Sequence, residues 1–362
     1  MTELEKRFAF VDALRAIGAF LIACFHFYMC SFLVGLHFDY PFFVHRIFPI
    51  GFVGVIIFFF LSGFVIAFRL NAEQFTARFF FSFYLRRLIR ISFPYWAAIV
   101  VILILRILTG RMVSLDNLMF PEFSVILKNL FYLQMVFPVE TIVPGAWTVI
   151  VELQLYLVML ILFAITKYFI QNIRLPFVTI VLIVFSPITV FSMLDVAGFK
   201  LFDLGSLCGS FFPSFFPSWY TFFAGAMMWW VIIGKLPKYF FWGFFVLAAA
   251  LLIVRFGLEL YITLVLSSLF YVWGIFMQRR DFLTNRLVQY FGGISYSFYL
   301  LHTITIMAAF KIFKIITKSW VGLEAYFLVW FLLTLIICTV VAQLFYSVIE
   351  KPSTKLSKKL AL

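Results

Sequence analysis

The chain has 362 residues, of which 65% are hydrophobic, 22% aromatic and only 12% charged, and its mean hydropathy is +1.12. A water-facing domain carries about 45–50% apolar and about 25% charged residues, so this composition excludes a cytosolic enzyme, a disordered chain and a secreted disulfide scaffold. The bilayer is the main solvent, and the net charge of +13 is what cytoplasmic membrane loops produce, with no need of a nucleic-acid partner.

The first apolar run, Phe8–Phe32, is broken by Asp12 and Arg15 and has no cleavage-type end, so it reads as a retained span rather than a signal peptide. A helix needs about 20 apolar residues to cross about 30 Å of hydrocarbon. Segments of that kind fall at 10–31, 50–69, 88–108, 146–166, 175–194, 215–233, 239–256, 259–277, 291–311 and 325–347. The expected fold is therefore an all-α integral membrane bundle of about ten spans, since a barrel would show short alternating strands. With the N-terminus inside, 18 Lys and Arg fall on the cytoplasmic side and nine outside, Arg15 being counted in neither; both termini are then cytoplasmic. The longest outer connection, 109–145, holds an apolar piece at Leu127–Phe137 that predicts a re-entrant or interfacial helix. Residues 1–350 read as one transmembrane domain and 351–362 as a basic tail. Cys24, Cys30, Cys208 and Cys338 are scattered through apolar runs without CxxC spacing, as small buried hydrophobes are.

Ionisable groups inside spans are costly and mark candidate sites. Arg15 and His26 are eleven residues apart, hence about 20° apart around a helix and about 16 Å along it, with Asp12 one turn below Arg15. The bland reading is an Asp12–Arg15 pair plus a core histidine bonded to a carbonyl; the shared face gives a functional reading equal weight. In "FYLRRLIRISFPYW", Arg86, Arg87 and Arg90 cluster before Pro94. They suit lipid headgroups or, as guanidinium forks, the phosphates of a coenzyme A-type donor. In "PGAWTVIVELQLYL", Trp147 has the place of an interfacial belt residue, whereas Glu152, with Tyr156 at i+4, is a carboxylate that must be neutral or paired. It is placed to bind an acceptor hydroxyl or hold an imidazole. In "FGGISYSFYLLHTI", Ser295, Tyr299 and His302 share one face at i, i+4 and i+7, equally a packing seam and a site.

Taken in order, these segments resemble the acyltransferase 3 family of membrane-bound O-acyltransferases. "FVDALRAIGAFLIACFH" resembles its Asp-x-x-Arg…His first helix, with ten residues between Arg15 and His26. "FFFLSGFVI" resembles its second helix at Phe59, Phe60, Ser62, Gly63 and Phe64, and Arg87 and Arg90 fit its Arg-x-x-Arg pattern. "WTVIVELQLYL", "GGISYSFYLLH" and the Glu350–Pro352 ending complete the series. Leu153 stands where many relatives have a second acidic residue. Other relatives carry a C-terminal hydrolase-like domain, where this chain has residues 351–362.

The resemblance implies a multi-pass protein of a bacterial cytoplasmic membrane that moves an acyl group, commonly acetyl, from cytoplasmic acyl-CoA to a carbohydrate hydroxyl. Acyl-CoA would be a co-substrate, with no bound metal or cofactor. His26 and Arg15 take the family's essential catalytic positions. Asp12, Arg87, Arg90, Trp147, Glu152, Tyr156, Ser295, Tyr299 and His302 are the candidate substrate contacts. In that scheme His26 is a general base or forms an acyl-imidazole. Arg15 stabilises oxyanion charge or guides the donor. The rival readings are a transporter or flippase for a lipid-linked or anionic glycan, which an internal repeat would favour, and a glycan polymerase or ligase with a long catalytic outer loop. The acceptor and the acyl group stay open.

Overall fold

The computed structural model describes residues 9–36, 38–70, 75–109, 120–134, 136–137, 139–198, 215–254, 257–275, 284–316 and 326–359. All regular structure among them is helical, with no strand. In chain order the helices are α1 (Ala9–Val34), α2 (Phe42–Ile47), α3 (Val53–Arg69), α4 (Ala77–Thr109), α5 (Phe123–Leu130), α6 (Trp147–Tyr168), α7 (Phe177–Val196), α8 (Phe216–Ile232), α9 (Tyr239–Val254), α10 (Leu258–Ile275), α11 (Arg286–Ile316), α12 (Phe327–Phe345) and α13 (Lys351–Lys359). A 3₁₀ turn, Phe48–Phe52, joins α2 to α3, and a π-helical turn, Tyr346–Glu350, joins α12 to α13.

Among the described residues, each of the ten expected segments contains a helix. Seven stretches among the described residues are long and apolar enough to cross a membrane: Ala9–Val34, Phe42–Arg69, Ala77–Ile107, Trp147–Ile173, Phe177–Val196, Arg286–Ile315 and Phe327–Lys359. The remaining three, α8, α9 and α10, have 17, 16 and 18 residues, or about 24–27 Å at 1.5 Å per residue. On α12 the exposed positions are Leu328, Val329, Leu332, Leu333, Ile336, Ile337, Val340 and Leu344. This apolar stripe at helical spacing is what a lipid-facing surface requires, whereas a water-facing helix carries charge there. Of the cations counted for orientation, Lys6, Arg7, Arg111, Lys200, Arg255, Arg279, Arg280 and Lys318 lie outside the described residues, as does Cys208. Cys24, Cys30 and Cys338 are buried free thiols.

The chain divides into two compact units. One comprises Met1–Val11, Val55–Leu85 and Ile150–Thr284, the other Asp12–Gly54, Arg86–Val149 and Asn285–Leu362. In the first, α3 and α8 cross in van der Waals contact. A Cβ at Gly63 would fall on the Phe222 carbonyl, and one at Gly225 on the Phe60 carbonyl. Only glycine permits that backbone approach. Aromatic rings fill the space around the crossing: Phe60 and Phe64 lie 4.9 Å and 4.8 Å from Phe270, and Trp219 stacks on Phe223.

In the second unit, α11 approaches α1 where Gly292 meets the Asp12 backbone; any side chain at 292 would clash with it. Tyr296 Oη donates to the Ile91 carbonyl at 2.9 Å, tying α11 to α4. The expected helix at Leu127–Phe137 is displaced: α5 covers Phe123–Leu130, and the chain turns after it. The turn arises at Tyr132, whose φ of 61° is left-handed. Its ring stacks on Tyr95 at 5.0 Å and its hydroxyl donates to Ser92 Oγ at 2.8 Å. Those contacts offset the strain of a non-glycine residue in that conformation. Residues 351–359 of the expected tail form α13, with Ser353 and Ser357 buried.

Candidate functional site

Two histidines meet in the second unit. His26, on α1, and His302, on α11, have ring centroids 4.7 Å apart at 74°, with His302 Nε2 3.0 Å from His26 Nδ1. The backbone dictates their protonation pattern. His302 Nδ1 faces two carbonyls, Tyr299 at 2.7 Å and Phe298 at 3.2 Å, so in a neutral ring it carries the proton and donates. His302 Nε2 is then the acceptor. His26 Nδ1 faces that acceptor and also the Ile22 carbonyl at 3.0 Å, so it too must be the protonated nitrogen. The remaining atom, His26 Nε2, holds an in-plane lone pair and has no hydrogen-bond partner among the described residues. His302 is buried at 2% exposure, and its carbonyl accepts from the Cys338 thiol. His26 is only partly buried. The outcome is an oriented base whose orientation is set from behind.

One turn before His302, Tyr299 directs its hydroxyl to the Gly145 carbonyl at 3.1 Å and to Thr148 Oγ1 at 2.6 Å. This secures the connection leading into α6. Ser295 instead donates to the Gly292 carbonyl of its own helix at 2.8 Å. The stripe of Ser295, Tyr299 and His302 thus divides: Ser295 serves its helix, and the other two reach neighbouring segments.

The same unit gathers charge at the other end of α1. Arg15 Nη1 pairs with Asp12 Oδ1 at 3.1 Å, the side chains being 26% and 34% exposed. Glu350, 4% exposed, accepts from Ser297 N at 3.1 Å and Ser297 Oγ at 2.5 Å. Arg90 and Arg15 are near enough for their charges to act on Glu350. Arg87 and Arg90 are both half-buried. Arg15 therefore belongs with this carboxylate cluster and not with the imidazole, from which it stands about 16 Å along the helix. Glu350 and Ser297 were legible only as parts of motifs; their meeting across 53 residues was not.

In the first unit, Glu152 Oε1 accepts from Ser62 Oγ at 2.6 Å and from Tyr156 Oη. Tyr156 is the expected i+4 partner. Ser62, 90 residues away, was visible only as a motif position. The two hydroxyls stabilise the carboxylate within the helix pair, and no imidazole is among its hydrogen-bond partners within that unit. Trp147, the first residue of α6, is 45% exposed, as a belt residue would be. Among the described residues no group of three or more His, Cys, Asp or Glu side chains could hold a metal ion.

No curated protein and no solved structure matches the chain. The family model of the acyltransferase 3 domain, described as an acyltransferase domain, matches residues 8–347. That stretch takes in both histidines, the arginines of α1 and α4, and Glu152. With the apolar helices described above, it shows that the chain belongs to the acyltransferase 3 family and is a multi-pass membrane acyltransferase.

Proposed function

We propose that this protein transfers an acyl group, acetyl in the simplest case, from acyl-CoA to a hydroxyl of a carbohydrate acceptor in a bacterial cytoplasmic membrane. The ten helical segments would cross the bilayer with both termini cytoplasmic. Arg87, Arg90 and Arg15 then face the compartment that supplies acyl-CoA, and they suit its phosphates because a guanidinium offers forked, charge-assisted donors. Asp12 and Glu350 hold that cluster in register. Trp147, Glu152 and Tyr156, on α6, are left for the acceptor side; Tyr299 braces the connection into α6, and Ser295, bonded to Gly292 beside Asp12, belongs to the Arg15 end.

His26 is the proposed general base. Its Nε2 takes the proton of the acceptor hydroxyl as the oxygen attacks the thioester carbonyl. The carbon–sulfur bond then breaks, and the CoA sulfur leaves with the proton carried by the imidazolium. The observation supporting this is the engagement of His26 Nδ1 by the Ile22 carbonyl and His302 Nε2, which leaves Nε2 as the basic nitrogen. His302 is a positioning residue in this scheme.

The test uses purified protein in nanodiscs, radiolabelled acetyl-CoA and a panel of surface glycans. His26→Ala is expected to lose about 10²–10⁴-fold of the transfer rate, the usual worth of a positioned base, with normal membrane insertion. Undiminished transfer in that variant removes His26 from the chemistry.

A further inference from the structure

α12, the π-helical turn and α13 run on as one helical stretch, Phe327–Lys359, of 33 residues, or about 50 Å. The hydrocarbon of a bilayer takes about 30 Å of that, and the apolar run ends with Ile349. α13 is therefore the part that emerges, and it begins in the headgroup layer. Its sequence, KPSTKLSKK, holds four lysines and no acidic residue.

At about 100° per residue, Lys351, Lys355, Lys358 and Lys359 fall within an arc of about 100°, and Ser353 and Ser357 lie on the opposite side. The two sides meet different surroundings. Ser353 and Ser357 are buried, and their hydroxyls donate to the Glu350 and Thr354 carbonyls, each at 2.9 Å. All four lysines are exposed and have no ion-pair partner among the described residues. Glu350, the nearest carboxylate in the sequence, is buried and held by Ser297. The serine side thus rests against the protein, and the cations point away from it.

Such a face is unfavourable by itself. Lys351 and Lys355, Lys355 and Lys359, and Lys355 and Lys358 stand at i,i+4 or i,i+3, where like charges repel. The helix dipole offsets this only for lysines of the last turn. A surface of fixed negative charge relieves all three pairs together. Two exposed apolar neighbours decide what kind of surface it is: Val348, just before α13, at 67% and Leu356, within it, at 39%. A dissolved phosphate offers them nothing, whereas a phospholipid supplies an anionic headgroup and acyl chains side by side. We propose that the lysine face of α13 is a docking surface for anionic phospholipid headgroups. It takes no part in the transfer chemistry, and its test needs no acyl donor.

The experiment is hydrogen–deuterium exchange of the full-length protein in two nanodiscs, one of phosphatidylcholine alone and one of equimolar phosphatidylcholine and phosphatidylglycerol. The α13 amides are expected to exchange at least about fivefold more slowly in the anionic discs, the worth of one lysine near such a surface. High salt is expected to close that gap. Lys351→Gln, Lys355→Gln, Lys358→Gln and Lys359→Gln together are expected to abolish it, and the four corresponding Lys→Arg changes to preserve it. Because all four side chains are exposed, neither set disturbs the buried side of the helix. Equal exchange in the two discs, a gap that survives the glutamine changes, or the same slowing by inorganic phosphate in phosphatidylcholine discs would each overturn the proposal.

Discussion

At one end of the second unit the carboxylate is the buried partner: Glu350 is 4% exposed and clamped by Ser297, while Arg15 and Arg90 keep part of their surface. At the other end the burial is reversed, with Arg106 at 9% and Glu140 at 27% exposure. A fixed anion with half-exposed cations around it can pass those cations to an incoming anion. A buried cation whose anion is the more exposed partner has no such freedom. The same two side-chain chemistries thus leave half-exposed cations around a buried anion in one place and a buried cation beside a more exposed anion in the other.

The difference can be broken one residue at a time. Glu350→Ala should have the largest effect, because it leaves two buried Ser297 donors unpaired. Leaving a buried donor unsatisfied costs about 1–3 kcal/mol, to be read as a fall in the thermal unfolding midpoint in detergent. Arg90→Gln should raise the KM for acyl-CoA about tenfold with little change in kcat, and added salt should narrow the gap from wild type. Arg106→Gln should leave that KM unchanged, and a rise would mean the two ends are not distinct. Tyr299→Phe loses the bonds to Gly145 and Thr148 and should cost about 1 kcal/mol, measured as unfolding free energy. Asp12→Asn, at a part-exposed i,i+3 pair, should change stability by no more than about 0.5 kcal/mol.

Local features were legible in the sequence because helical periodicity is local. The Asp12–Arg15 pair, the Glu152–Tyr156 pair and the helical character of all ten apolar segments follow from spacings of three or four residues and from hydropathy. The site itself was legible only as separate stripes. His26 and His302 are 276 residues apart, and nothing in either helix alone says that one imidazole orients the other. Arg106 counted merely as an outer cation, since its burial has no sequence signature. The misplacement of α5 has the same origin. Apolarity continues through Phe131–Phe137, but the helix ends where stacking on Tyr95 holds Tyr132 at positive φ, and that contact spans 37 positions.

The wide turn at Tyr346–Glu350 carries one more residue than an α-helical turn and shifts everything after it by about 100°. Glu350 is its last residue, so the carboxylate reaches Ser297 by virtue of that insertion. Removing an outward-facing neighbour such as Val348, 67% exposed, would alter no charge and barely alter hydropathy, yet swing Glu350 away from its clamp. A single lost codon in a featureless stretch could then silence the enzyme while every motif residue stayed in place.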